Sequence, residues 1–288
     1  MTNNSINNNF ILKLRSISGV FDAAKIKHGL LAMEYDVQTL PSEDGTIFFI
    51  NGISTRPLLL NFNAKGLDLS LPSFSCPDDW ELLRDWLLVF FTFHQAVAIA
   101  ENDLIEDVES FFSAEKIGQE QMQFEEELHR HMRDDETFHF QSVHRAFFAG
   151  TKIFERIREQ PENEHLSYFY QLVRKSQYTT LNAENSFVEK ISEHLSTTFS
   201  CLDNKANIVL QPADMIKIHE NATEDFFISY SSIDKLIRHG WIYLDEKQIY
   251  IPVMSDEEWK NFCSQAKEMS INTELFSKYV EGEDEENE

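Results

Sequence analysis

The residues with the most chemical reach lie between Glu126 and His144: Glu126-Glu127-Leu128-His129-Arg130-His131, then Asp134, Asp135, His139 and His144. Imidazole and carboxylate together suit zinc, manganese or iron. A metal-dependent enzyme built here would draw its ligands from Glu127, His129, His131 and His139. Their spacing opposes that reading, because His129 and His131 face opposite sides of a helix and align only in an extended segment. Neither HExxH nor a paired ExxH pattern occurs. The expectation is therefore solvated histidines near a helix C-terminus, where a cation complements the dipole, and no cofactor or metal.

Other chemistry has weaker signals. Cys76 precedes a helix start, where a thiolate can be stabilised, yet Pro77 removes one backbone donor and no neighbouring base is implied. A small buried residue beside the cap is the expected role, and no catalytic residue is assigned. Gly66, Gly118, Gly150 and Gly240 are isolated, which excludes a phosphate loop and a dinucleotide fingerprint. Arg145, Lys152, Arg156, Arg158, Arg174 and Lys175 interleave with Phe147, Phe148, Phe154, Tyr168 and Tyr170, a mixture that can serve single-stranded nucleic acid. Residues 137–200 nevertheless hold seven basic and seven acidic groups, so core and solvated face are expected there.

Charge points elsewhere. The chain carries a formal net charge of −24, and residues 101–136 hold thirteen Asp and Glu against three Lys and Arg. Such an excess repels phosphate backbones and attracts cations over roughly a Debye length, ~8 Å at physiological salt. Direct nucleic-acid binding is not expected. A basic protein partner is, with Glu120, Glu125, Glu126, Glu127, Asp134 and Asp135 as the candidate contact residues.

The elements that must position these residues follow from periodicity. Phe10 to Leu14 alternates as a strand, and Phe21 to Met33 repeats at three and four as a helix. Thr46 to Ile50 and Pro57 to Phe62 read as strands, and Ala64-Lys65-Gly66 turns into alternating Leu67, Leu69 and Leu71. Ser75 is the expected cap of a helix from Pro77 to Phe93, with Asp78 and Asp79 at its positive end. A short strand at Ala96 to Ala100 follows. Ser113 then caps an amphipathic helix carrying Ile117, Gln121, Phe124 and Leu128, whose outer face is expected to be very acidic.

In the second half, Asn163 to Lys175 reads as a helix and Thr197 to Leu210 as a hairpin around Asp203-Asn204-Lys205. Phe226 to Tyr230 is a strand, Ser232 to His239 a short helix ended by Gly240, and Trp241 to Pro252 a hairpin. Ser255 and Glu258 form a capping box for a last helix. The fold class is α+β, with antiparallel sheets and packed helices in two lobes, 10–134 and 135–280. The polar leader 1–9 and the acidic tail 281–288 are expected to be disordered ends.

Across residues 45–180, Gly66-Leu-Asp-Leu, Asp79-Trp80-Glu81 and Arg174-Lys-Ser-Gln177-Tyr178 resemble an uncharacterised bacterial domain-of-unknown-function family of about three hundred residues. That family has no assigned activity, so the resemblance implies no catalytic residue. The longest apolar run, Trp86 to Phe91, is far short of the ~20 residues of a membrane span, so no membrane association is expected. The leader lacks the pattern of a secretory signal, and Cys76, Cys201 and Cys263 are too far apart for a metal knuckle. A bacterial cytoplasmic protein is the expectation.

The functional expectation is a non-enzymatic acidic protein that binds a basic partner, an immunity-type neutraliser of a toxin or nuclease. A metal-dependent enzyme and a nucleic-acid mimic are the alternatives.

Overall fold

A computed structural model describes residues 4–5, 9–17, 21–42, 45–100, 103–178, 183–185, 188–190, 198–221 and 224–271. The acidic tail lies outside them. The class is α+β, as the patterning indicates. The chain divides into two compact units, Met1–Tyr178 and Thr179–Glu288.

The first unit is built on a seven-stranded antiparallel sheet. Its strands are β2 (Asn9–Arg15), β3 (Val37–Ser42), β4 (Gly45–Ile50), β5 (Leu58–Asn63), β6 (Gly66–Pro72), β7 (Val97–Ala100) and β8 (Asp103–Leu104). They lie in the order β3-β4-β5-β6-β2-β7-β8. Period-two alternation makes the sheet one-sided: Leu12, Leu14, Leu67 and Leu69 are buried while Ile11 and Phe62 face out.

Helix α2 (Pro77–Phe93) packs against β4, β5 and β6. Trp80, Leu83, Trp86, Leu87 and Phe90 recur at helical spacing and are fully or almost fully buried. Each such side chain contributes ~1.5–3 kcal/mol. Helix α1 (Ala23–Leu31), capped by Asp22, packs beside α2. A Cβ at Gly29 would lie 2.4 Å from Val89 Cγ1, so the missing side chain permits that approach.

A second layer completes the unit. It holds helices α3 (Val108–Phe111), α4 (Ala114–Asp134), α5 (Thr151–Arg158) and α6 (His165–Tyr178), with strands β9 (Phe138–Gln141) and β10 (Ala146–Ala149). The pair β9 and β10 is joined in parallel by β1 (Asn4–Ser5), so the leader expected to be a disordered end supplies a strand. Phe74 stacks on Phe138 and Phe140 at 5.4 and 6.1 Å and meets Phe124 and Phe169.

This shared aromatic core is why the lobe boundary expected near Asp134-Asp135 falls inside the first unit. Asp135 only ends α4, in the left-handed conformation with φ 48°. The division between units lies instead after Tyr178.

Among the described residues, the second unit holds two four-stranded sheets. One contains β11 (Ala183–Asn185), β14 (Asn207–Leu210), β17 (Ile242–Tyr243) and β18 (Ile249–Ile251); the other contains β12 (Val188–Lys190), β13 (Thr198–Leu202), β15 (Met215–His219) and β16 (Asp225–Ser229). Helix α7 (Asp256–Lys267) buries Trp259, Phe262 and Cys263 in the same core, and its Ser255/Glu258 capping box forms as expected.

The hairpin expected over Thr197 to Leu210 does not form. Strand β13 pairs with β12 and β15, and β14 with β11 and β18, so Asp203-Asn204-Lys205 carries the chain between sheets. Asn204 fixes that crossing by exchanging two 2.7 Å hydrogen bonds with the backbone of Met254.

Gly66 gives a direct test of the sheet. Its φ is +146°, and a Cβ there would sit 2.2 Å from the Leu14 carbonyl oxygen on the adjacent strand. Gly66→Ala should destabilise the protein by about 2 kcal/mol or more in urea denaturation. An unchanged midpoint would mean that β2 and β6 do not approach as described.

Candidate functional site

The densest constellation of polar and reactive side chains gathers at the N-terminus of α2. Asp79, in its first turn, is 1% exposed. One carboxylate oxygen, Oδ2, accepts from the Thr55 amide at 3.2 Å, Thr55 Oγ1 at 2.9 Å, the Arg56 amide at 3.1 Å, the Cys76 amide at 3.0 Å and the Cys76 thiol at 3.2 Å. The helix dipole adds to these donors. Burial pushes Asp79 above the ordinary carboxylate range, and donors from residues 54–56 and Cys76 oppose that shift.

The carboxylate ties the loop between β4 and β5 to the loop between β6 and α2. Thr55 Oγ1 also lies 3.1 Å from the Phe74 carbonyl, and Ser142 donates to the Thr55 carbonyl. Two helices dock on the same loops. Tyr170 shares its one hydroxyl proton between Gln121 Oε1 at 2.7 Å and the Ser75 carbonyl at 3.2 Å, and Tyr178 donates to the Ser54 carbonyl at 3.0 Å. Arg174 reaches the Ile53 carbonyl, Cys76 Sγ at 3.3 Å and Asp78 at 2.7 Å. Gln177 Oε1 accepts from the amides of His144 and Arg145, both at 3.0 Å.

Within this network Asp79 Oδ1, alone of the two carboxylate oxygens, is left without a hydrogen-bond partner among the described residues. Cys76 is fully buried, and burial with the neighbouring Asp79 pushes its thiol up to about 12 despite Arg174. A nucleophilic thiol needs the opposite shift and access. Cys76 is also the helix cap; Ser75, the expected cap, donates to the Pro72 carbonyl instead. Arg145 and Arg174 of the basic stretch belong to this network, and Arg158 donates to the Met132 carbonyl.

The residues of the metal-enzyme alternative do not converge as a set of four. His129 Nε2 lies 3.0 Å from His165 Nδ1, whereas His131 is 2% exposed, packs on the Phe138 ring at 4.5 Å and meets Arg130, Glu127 and Glu136. His139 stacks on Phe148 on another element. Among the described residues, no three His, Cys, Asp or Glu side chains are grouped as metal ligands would be.

The acidic face is also arranged differently from expectation. At 3.6 residues per turn, Glu120 and Glu127 flank one edge of the buried stripe of α4 and Glu125 the other. Lys116 pairs with Glu120 at 3.0 Å, and burial raises the Glu127 carboxyl. Glu126 does point outward, beside exposed Met122, Arg130 and Arg133. Asp134 pairs with Arg133, and Asp135 accepts from Thr151.

The more exposed acids lie before the helix, at Asp103, Glu106 and Glu109, and in its first turn, at Glu115. Neither these nor Glu126 enter an ion pair among the described residues. No helix among the described residues is long and apolar enough to cross a membrane.

Comparison with protein-family models, curated proteins and solved structures finds no match to the chain. Neither fold nor function is therefore carried over from a relative. Asp79, Arg174, Gln177 and Tyr178 all bind this network.

Two histidines give the first unit an acid-side weakness. Burial lowers His131 below its ordinary 6.5, helped by Arg130 and opposed by Glu136 and Asp134. Burial and Arg145 lower His144, whose ring meets Phe49 and Tyr178. The unfolded chain then takes up protons first, so stability is complete above about pH 6.5 and falls below it. Calorimetry should show a lower Tm at pH 5.5 than at pH 7.5, and His131→Phe with His144→Phe should flatten the difference. A wild-type Tm independent of pH across that range would contradict the burial of these rings.

Proposed function

We propose that this protein is a non-enzymatic binding protein whose acidic surface engages a basic protein, as an immunity-type factor neutralises a toxin or nuclease. The carrying observation is the set of exposed carboxylates at Asp103, Glu106, Glu109, Glu115 and Glu126, which enter no ion pair among the described residues. Within a chain of net charge −24, such a set supports fast association with a cationic partner and selects its orientation. The groups that could have served catalysis support the same reading from the other side. Cys76, Tyr170 and Arg174 bond one another's neighbours and the adjacent backbone, and Asp79 is bound there through one oxygen.

The contact surface in this reading shifts from the six acids expected on and after α4 towards the segment before it. Glu126 is retained, and Glu120, Glu125 and Glu127 become flanking groups. A pull-down from the native cell extract at low salt, eluted by a salt gradient, should retain a basic protein. Reversing Asp103, Glu106 and Glu109 to Lys should slow its association by about tenfold and flatten the salt dependence, with Tm nearly unchanged. An unchanged association rate in the triple variant would assign these acids to solvation alone.

A further inference from the structure

Arg56 is a buried cation with an unusual set of neighbours. It is 5% exposed, donates from Nη1 to the Ser73 carbonyl at 2.7 Å, and lies 4.4 Å over the Phe140 ring. Its Nε has no hydrogen-bond partner. Neither Asp79 nor any other carboxylate among the described residues forms an ion pair with it, although Asp79 acts on it through space. A guanidinium removed from water ordinarily finds a carboxylate or phosphate.

The side chain lines a cleft of about 560 Å³ between β5 and the β9–β10 pair. That volume lies in the range of small-molecule sites, and such sites combine apolar walls with a few placed polar groups. Pro57, Leu59, Pro72 and Phe148 supply apolar walls here, while Asn9, His139 and Gln141 add polar groups beside Arg56.

We propose that this cleft binds a small organic carboxylate, its acid group paired with Arg56 and its aromatic or aliphatic body against Pro57, Leu59 and Phe148. The carboxylate complements the one buried cation in the cleft that lacks an anionic partner among the described residues. The apolar walls favour an organic body over inorganic phosphate, which would leave them uncovered. This site is separate from the exposed acids before α4 and does not depend on a protein partner.

The test uses the full chain and three matched pairs: benzoate and benzamide, phenylacetate and phenylacetamide, hexanoate and hexanamide, with inorganic phosphate as a fourth probe. Saturation-transfer NMR and titration calorimetry should detect at least one carboxylate, with its amide at least about tenfold weaker.

Ala146→Trp fills the cleft without altering Arg56 and should abolish binding at nearly unchanged Tm. Arg56→Lys should weaken the carboxylate by about tenfold and leave the amide unaffected. No binding by any carboxylate would overturn the proposal. So would equal affinity for acid and amide, binding of phosphate alone, or undiminished binding in a folded Ala146→Trp variant.

Discussion

The first unit depends on one buried carboxylate. Asp79 sits where the dipole of α2 and five donors converge on a single oxygen, and a charge is tolerated in the core only under such conditions. The consequence is long-range order. Residues 54–56 and 76 are held at one point although at least twenty positions separate them, and the loops so fixed present carbonyl groups outward. Gln121 of α4 and Tyr170, Arg174 and Tyr178 of α6 donate to those carbonyls. The helical layer is thereby registered on the sheet by polar contacts as well as by the phenylalanine core.

That arrangement decides what the unit can do. Burial and the neighbouring Asp79 hold the Cys76 thiol protonated, and burial keeps the Asp79 carboxyl out of water. Function is then sought where charge is left uncommitted. Two such places emerge, opposite in sign: exposed carboxylates from Asp103 to Glu126, and the cleft in which Arg56 lacks an ion-pair partner among the described residues.

Local pattern made much of the fold legible. Alternation in Leu67, Leu69 and Leu71, the Pro77 start of α2 and the Ser255/Glu258 box each encode structure within a few residues, and these elements form where the pattern puts them. What the sequence concealed was non-local. The turn at Asp203-Asn204-Lys205 looks like a hairpin because sheet membership is set by partners such as β15 and β18, far along the chain.

The expected boundary at residue 134 fails because the phenylalanines on either side of it pack together. The polar network was hidden for the same reason. Asp79 was read as complementing a dipole, and nothing local reveals that Thr55 donates to it. Grouping four glutamates on one outer face overlooked that Glu120, Glu125 and Glu127 border the buried stripe.

The most direct measurement is amide hydrogen exchange at Thr55, Arg56 and Cys76, compared between wild type and Asp79→Asn. If Asp79 organises the unit, these amides exchange in wild type at rates close to global unfolding, although Thr55 and Arg56 lie outside regular structure. In the variant their protection should fall together, along with that of α6. Rapid exchange in wild type, or protection that survives in Asp79→Asn, would contradict the central role of this carboxylate.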